Sequence, residues 1–157
     1  MGRKKSIDSE VDPELEELRY AWRYNDNIVY YDDIKNYAGF VYLIENLITH
    51  KKYIGQKMTT KAHTRVVNGK KKKSRRESTW ETYYGSNKNL VGDVKKYGRD
   101  NFKRIILHLC PTKSLMNYLE SLEIFRSGAL LGESYYNEWV SAKCSKKYLK
   151  TLEINPE

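Results

Sequence analysis

Two apolar runs set six residues apart constrain this chain more than anything else in it. Phe40–Glu45 ("FVYLIE") and Lys52–Gln56 ("KYIGQ") are rich in Val, Ile and Tyr, the residues that suit a pleated, half-buried strand. The connection, Asn46–Lys51, is short enough to close an antiparallel hairpin. Side chains alternate faces along a strand, so the register decides which of them meet. If Asn46 pairs with Lys51, with four residues between them, Tyr42 and Tyr53 share one face. Taken alone, two strand tyrosines are ordinary packing residues.

The remaining elements follow from periodicity and punctuation. Residues 1–12 read as a polar tail. Asp12-Pro13 is a capping residue followed by a helix starter, and Leu15, Leu18 and Trp22 continue at helical spacing, predicting a helix over 13–24. "NIVYYDDIKNY" reads as a short strand or an irregular connection, and the basic stretch 57–78 as a loop. Ser86 is placed to cap a helix with Leu90 and Val94 on one face and Gly98 as its stop. "NFKRIILHLC" reads as a third strand buried on both faces. Pro111 and Thr112 introduce a helix to about residue 127, with Leu115, Leu119 and Leu122 as its core stripe. The expectation is a small α+β domain: a three-stranded mixed or antiparallel sheet flanked by helices. It divides into a tail and helix at 1–38, a domain at 39–140 and an extension at 141–157.

Charge narrows the function. The chain carries a formal net charge of +9 over 157 residues, but residues 1–38 hold nine acidic and six basic side chains, a net of −3. Residues 51–76 hold eleven Lys or Arg and no Asp or Glu. Such a block binds a polyanion or stays a solvated loop, and the basic footprint favours nucleic acid. Lys70, Lys71, Lys72, Lys73, Arg75 and Arg76 are the candidate phosphate contacts, and Trp80, Tyr83 and Tyr84 beside them supply rings for sugar or base. No apolar run approaches the ~18 residues of a membrane span. The opening "MGRKKSIDSE" has no following apolar region, and Cys110 and Cys144 form no CxxC pair, so a cytoplasmic setting is expected. His108 and Cys110 share a strand face but lack a second pair of ligands for zinc.

"FVY" at 40–42 followed by "YIG" at 53–55 resembles the paired signature of the GIY-YIG nuclease family. "YYGSNKNLVGDVKKYGRDNFKRIIL" and "NYLESLEIF" continue the likeness, which covers roughly 38–140 and is nearest in type to phage-encoded homing or Seg-like endonucleases. The resemblance implies a three-stranded sheet with helices, and metal-dependent hydrolysis of DNA phosphodiesters in the cytoplasm of a phage's host. It places Tyr42 and Tyr53 in the active site and a carboxylate for Mg²⁺ (or Mn²⁺) on Glu120 or Glu123, with the family spacing favouring Glu120. Asn137 in "YYNEW" matches the family's late Asn. Two positions depart from the pattern. Arg65 and Arg76 are rivals for the family's Arg, and Tyr83 or Tyr84 stands near its His, with Tyr84 the candidate replacement. Lys57, after the second motif, is a further cation.

A sparse ligand set suits this chemistry. Hydrolysis needs an aligned water and neutralisation of developing charge, and Mg²⁺ commonly takes one or two carboxylates and keeps its waters. Two other classes compete: a non-catalytic nucleic-acid-binding module on the same fold, and a nuclease selecting branched DNA or RNA by shape. The partner expected is double-stranded DNA. No long DNA-reading segment follows the domain, so residues 1–38, the basic stretch or dimerisation would have to supply specificity.

Overall fold

A computed structural model describes residues 12–149 of the chain. The hairpin forms in the expected register. Strand β3 (Gly39–Asn46) pairs antiparallel with β4 (Lys52–Met58), with Tyr42 opposite Gly55 and Ile44 opposite Tyr53. Asn46 makes the six-residue connection work. Its backbone N–H donates to the Lys51 carbonyl at 2.9 Å, and its buried side-chain oxygen accepts from the N–H groups of Ile48 and Thr49 at 2.9 and 3.2 Å.

On its other side β3 pairs antiparallel with the predicted third strand, β7 (Phe102–Cys110). Val41 lies opposite His108 and Tyr42 opposite Ile106, so Leu107 is an extra, bulged residue beside Tyr42. The sheet does not stop at three strands. It has five, in the order β2-β1-β7-β3-β4, because β1 (Arg23–Tyr24) runs parallel to β7 and β2 (Asn27–Ile28) turns back on β1. Asn25 and Asp26 close that turn with φ of 48° and 63°, the left-handed pair a two-residue hairpin requires. A strand two residues long leaves no period to read, which hid β1; β2 opens the segment "NIVYYDDIKNY", where a short strand is one of the two readings. Residues ahead of position 39 are thus built into the sheet.

Helix α1 (Pro13–Tyr20) starts as expected, with Asp12 accepting from the Glu14 N–H at 3.1 Å, but ends at Tyr20 rather than 24. Trp22 is therefore not on its face. Its ring sits 1% exposed in the sheet core, edge-on to Phe40 and Tyr42 at 5.2 Å each, and its indole N–H donates to the Trp80 carbonyl at 2.8 Å. A single turn, α2 (Tyr31–Ile34), leads into β3.

The basic stretch is the second correction. It is no loop: β5 (Thr60–Val67) and β6 (Lys70–Glu77) form a two-stranded ribbon closed by Asn68 and Gly69 with φ of 49° and 71°. The chain then enters α3 (Lys88–Tyr97), capped by Asn87 rather than Ser86 and stopped at Gly98 as predicted. Helix α4 (Lys113–Ser127) is capped by Thr112; its buried stripe is Leu115, Met116, Ser121 and Ile124, with Leu119 and Leu122 only half-buried.

The main sheet is covered on both faces. Phe40, Tyr42, Ile44 and Ile106 pack with Trp22, Trp80, Leu90 and Phe102, whereas Val41, Ile54 and Cys110 pack on Met116 and Ile124 of α4. Strand β4 would be a bare edge, and the segment after α4 covers half of it. Lys52 exchanges backbone bonds with Ser134 and Tyr136, and Asn137 clasps Ile54 by both its N–H and its carbonyl, at 3.0 and 2.8 Å. Tyr136 ties the arrangement together, accepting from Asn46 and donating to Asp93 of α3. Among the described residues no helix is long and apolar enough to cross a membrane.

Candidate active site

The uncovered end of β4 is where the chemistry gathers. Gly55 lies under the Tyr42 ring; a Cβ there would stand 2.4 Å from the Tyr42 hydroxyl and 2.9 Å from Cε1 of Tyr53. Only glycine lets the phenol of β3 reach across the edge strand, which gives the third residue of "YIG" a steric reason. The Tyr42 and Tyr53 rings are 6.2 Å apart, so the shared face predicted from the register is the face they occupy. Tyr83 closes over Tyr42 from the side, edge-on at 6.0 Å.

Burial pushes the Tyr42 hydroxyl well above the usual tyrosine range, and the neighbouring Tyr83 and Tyr53 add to the effect. Burial also raises Tyr53, against a lowering hydrogen bond from Ser86. Glu120 reaches this site from α4 along the β4 edge. Its carboxylate accepts from the Gln56 amide at 2.5 Å, and that amide also donates to Asn117 at 3.0 Å. Burial lifts Glu120 above the ordinary carboxylate value, while the Gln56 bond works the other way. Glu123, one turn on, is turned elsewhere: it pairs with Nε2 of His108 at 2.8 Å. That contact also accounts for His108. Tyr42, Tyr53, Gln56, Ser86 and Glu120 together line a cavity of about 320 Å³, with Asn137 and Trp139 in its wall.

Other candidates fall outside that cavity. Arg65 and Arg76 lie on the ribbon, opposite Lys72 and Lys61, and neither lines it. Tyr84 is buried beneath the site, its ring against the Arg104 guanidinium at 4.2 Å; the tyrosine that meets Tyr42 is its neighbour Tyr83. Asn137 is present, but both ends of its amide are engaged by Ile54, which makes it a fastener of β4 rather than a free phosphate contact. Lys57 lies 4.0 Å over the Tyr83 ring, and burial with the nearby charge of Lys61 holds it below the usual lysine range. Lys70–Lys73 are all exposed on β6; Arg75 there bonds Thr60 through Nε at 2.7 Å.

Sequence reading missed two contributors, Gln56 and Arg104, and of the pair Tyr83 and Tyr84 it favoured Tyr84, whereas Tyr83 is the one that meets Tyr42. Arg104 is 4% exposed, stacked between Trp22 and Tyr84, and donates to the carbonyls of Glu81, Tyr83 and Tyr20. Burial draws it down to about 10. It holds the loop that presents Tyr83. The available signal was a lone cation between Phe102 and Ile106 on one face of β7, whose neighbouring Lys103 alternates to the other face.

The donor set can be tested against a metal. Among the described residues no three His, Cys, Asp or Glu side chains gather as a ready-made cage. Two carboxylates (Glu120 and the exposed Glu138), two phenols and the hydroxyls of Ser86 and Ser141, all hard oxygens, nonetheless match a cation that keeps most of its waters.

Comparison with known proteins agrees with the geometry. The family described as "Putative endonuclease segE, GIY-YIG domain" matches residues 22–140, starting at the core tryptophan and ending at Val140 in the wall of the cavity. "Putative endonuclease segE" of Enterobacteria phage T4 is 34% identical over 98 residues, covering 62% of this chain and 39% of that protein. This chain thus spans well under half the length of that relative. No solved structure matches it. With the paired tyrosines on one face of an α+β domain and a family match across 22–140, the chain belongs to the segE family of GIY-YIG endonuclease domains.

Proposed function

We propose that the chain hydrolyses DNA phosphodiester bonds in the cavity of Tyr42, Tyr53 and Glu120, with Mg²⁺ or Mn²⁺ held by the Glu120 carboxylate. The observation that carries this reading is the convergence of those three side chains, from β3, β4 and α4, at the open edge of β4. A divalent cation there would supply Lewis-acid neutralisation of charge developing on the phosphate. Gln56 fixes the Glu120 carboxylate, and burial keeps bulk water from competing for it. Tyr42, once its own proton has gone to solvent, accepts the proton of the attacking water as a phenolate. Burial opposes its ionisation, so positive charge brought into the cavity is what makes it a competent base. Tyr53, hydrogen-bonded by Ser86, orients the water or the phosphate, and Asn137 holds β4 so that the two phenols keep their spacing. The basic ribbon supplies affinity for duplex DNA, as expected of a phage-encoded nuclease.

One observation favours a binding module without catalysis: among the described residues no Lys or Arg lines the cavity itself. The same experiment separates the readings. Supercoiled plasmid incubated with the protein and Mg²⁺ is nicked or linearised, and chelator stops it. Binding without any cleavage in Mg²⁺ or Mn²⁺ would leave only the module.

A further inference from the structure

Strands β5 and β6 stand apart from the five-stranded sheet, and all eight residues of β6 are exposed. In an antiparallel pair, directly opposed residues point to one side and successive residues alternate. The register therefore sorts the cations. Lys61 opposes Arg76, Arg65 opposes Lys72 and Lys70 opposes Val67, all on one side; Lys71, Lys73 and Arg75 lie on the other, opposite Val66, Thr64 and Ala62. Twice, then, the first side sets like charges directly across the ribbon, an arrangement that destabilises a free hairpin. Among the described residues none of those five cations is paired with a carboxylate. The second side has a single row of cations facing small side chains, and its Arg75 is occupied by Thr60 at 2.7 and 3.1 Å.

The ribbon is rooted next to the cavity. Thr59 is buried and donates its hydroxyl to the Tyr37 carbonyl at 2.6 Å, and the Ser78 N–H closes the root on the Thr59 carbonyl at 2.9 Å. At this root both sides of the ribbon, Lys61 from the first and Thr60, Ala62 and Arg75 from the second, border a cleft with Lys57 and Lys113 that meets the active cavity at Gln56, so the root itself does not choose between the sides.

We infer that the Lys61–Arg65–Lys70–Lys72–Arg76 side of the ribbon seats the phosphates of duplex DNA in a fixed register, and that the Lys71–Lys73–Arg75 side does not. Taking the polyanion to be DNA rests on the nuclease reading above. Phosphates lodged between opposed cations turn their repulsion into attraction. A strand of eight residues spans about 26 Å, enough to follow several phosphates of a duplex that carries one charge per ~1.7 Å of axis. Lysines serving only to keep a ribbon edge from aggregating would have no preferred side.

Four consecutive lysines provide a matched test, because Lys70 and Lys72 fall on one side and Lys71 and Lys73 on the other. Binding of an uncleaved duplex is measured in chelator across a salt series for Lys70→Gln/Lys72→Gln and for Lys71→Gln/Lys73→Gln. The first double variant loses about 1.8 from the slope of log K against log salt, roughly 60-fold in affinity at 0.1 M, whereas the second stays within about 0.5 of the wild-type slope. Amide exchange in the free first variant slows across the ribbon, because the Arg65–Lys72 repulsion is gone. Equal losses from both pairs would mean an unstructured polycation; a larger loss from Lys71 and Lys73, or none from either, would equally overturn the assignment. So would a side preference seen on anionic vesicles but not on duplex. Failure of the nuclease reading would show separately, as no cleavage by the wild type in Mg²⁺.

Discussion

Among the described residues two long antiparallel hairpins follow one another directly, and they are opposites. In β3–β4 Phe40, Val41, Tyr42 and Ile44 are buried, and the connection is six residues organised by a buried Asn46. In β5–β6 nearly every residue is exposed and the connection is two left-handed residues, Asn68 and Gly69. A buried hairpin takes its register from its hydrophobic faces, since a one-residue slip would turn Phe40, Tyr42 and Ile44 outward. An exposed hairpin has only its turn to fix the register. Burial also perturbs acid–base chemistry, raising Tyr42 and Glu120, while exposure leaves the ribbon's cations free to exchange counterions for phosphate. On this view the first hairpin does chemistry and the second supplies affinity.

The largest expected break in that division is Glu120→Gln. Shape is kept and charge is lost, so cleavage falls below detection while duplex binding in chelator stays near normal. Glu123→Gln, which removes only the partner of His108, keeps most of the rate. Glu120 also makes a pH prediction. Burial raises its pKa and so suppresses its ionisation in the folded state; the stability it confers is full below its unfolded value near 4.5 and is lost as pH rises through the higher folded value. Without divalent cations, Glu120→Gln therefore melts no lower than wild type at pH 7 and lacks that acid-side gain. A wild-type cleavage rate in Glu120→Gln would remove α4 from the site.

Next in size is Tyr42→Phe. The ring and its contacts with Trp22 and Tyr53 remain, and only the hydroxyl goes. Loss of a general base costs about 10²–10⁴ in single-turnover rate with near-normal melting. A base held above its usual range also makes the wild-type rate climb about tenfold per pH unit through neutrality, and the Phe variant should flatten that rise. Wild-type kinetics in Tyr42→Phe would return this tyrosine to packing. Gly55→Ala comes third. Its methyl must displace the Tyr42 hydroxyl, so it should lower the rate and cost about 1–3 kcal/mol of stability, the usual range for overpacking. Unchanged melting and rate would mean that Tyr42 does not lie over Gly55.

What could be read from the sequence follows the same contrast. Tyr42 and Tyr53 fall on one face because burial writes apolar, β-branched runs into the sequence that mark both strands, and the Asn46–Lys51 pairing then fixes their parity. Thr112, Gly98 and Asp12 were legible because caps need particular side chains. The ribbon was misread as a loop because "TKAHTRVV" and "KKKKSRRE" bury nothing and so carry no alternation. Its one signal was the Asn68-Gly69 pair. Strand β1 leaves no trace, since two residues cannot show a period, whereas β2 falls where "NIVYYDDIKNY" reads as a short strand or a connection; Trp22 fits the helical spacing of α1 but lies past its end. The Tyr83–Tyr84 choice turned on one residue in an irregular segment, where side-chain direction is set by Arg104 holding the carbonyls of Glu81 and Tyr83.

The smallest expected effect tests whether the turn alone carries the ribbon's register. Gly69 has φ of 71°, and a Cβ there would meet nothing within 4 Å, so Gly69→Ala has no steric consequence beyond its own backbone. Holding alanine in the left-handed region costs about 1–2 kcal/mol. Because the ribbon shares no hydrogen-bonded ladder with the main sheet, that cost falls on the ribbon and not on the core. The global melting temperature should therefore stay within about 1 °C of wild type, less than the roughly 2–4 °C that 1 kcal/mol shifts a domain of this size. Amide exchange between Thr60 and Glu77 should instead rise by about five- to thirty-fold, the same free energy expressed locally. Affinity for duplex DNA should weaken only a few-fold, since the cations remain and their spacing is loosened. If melting drops by several degrees with Gly69→Ala, the two hairpins are one cooperative unit and their division of labour fails.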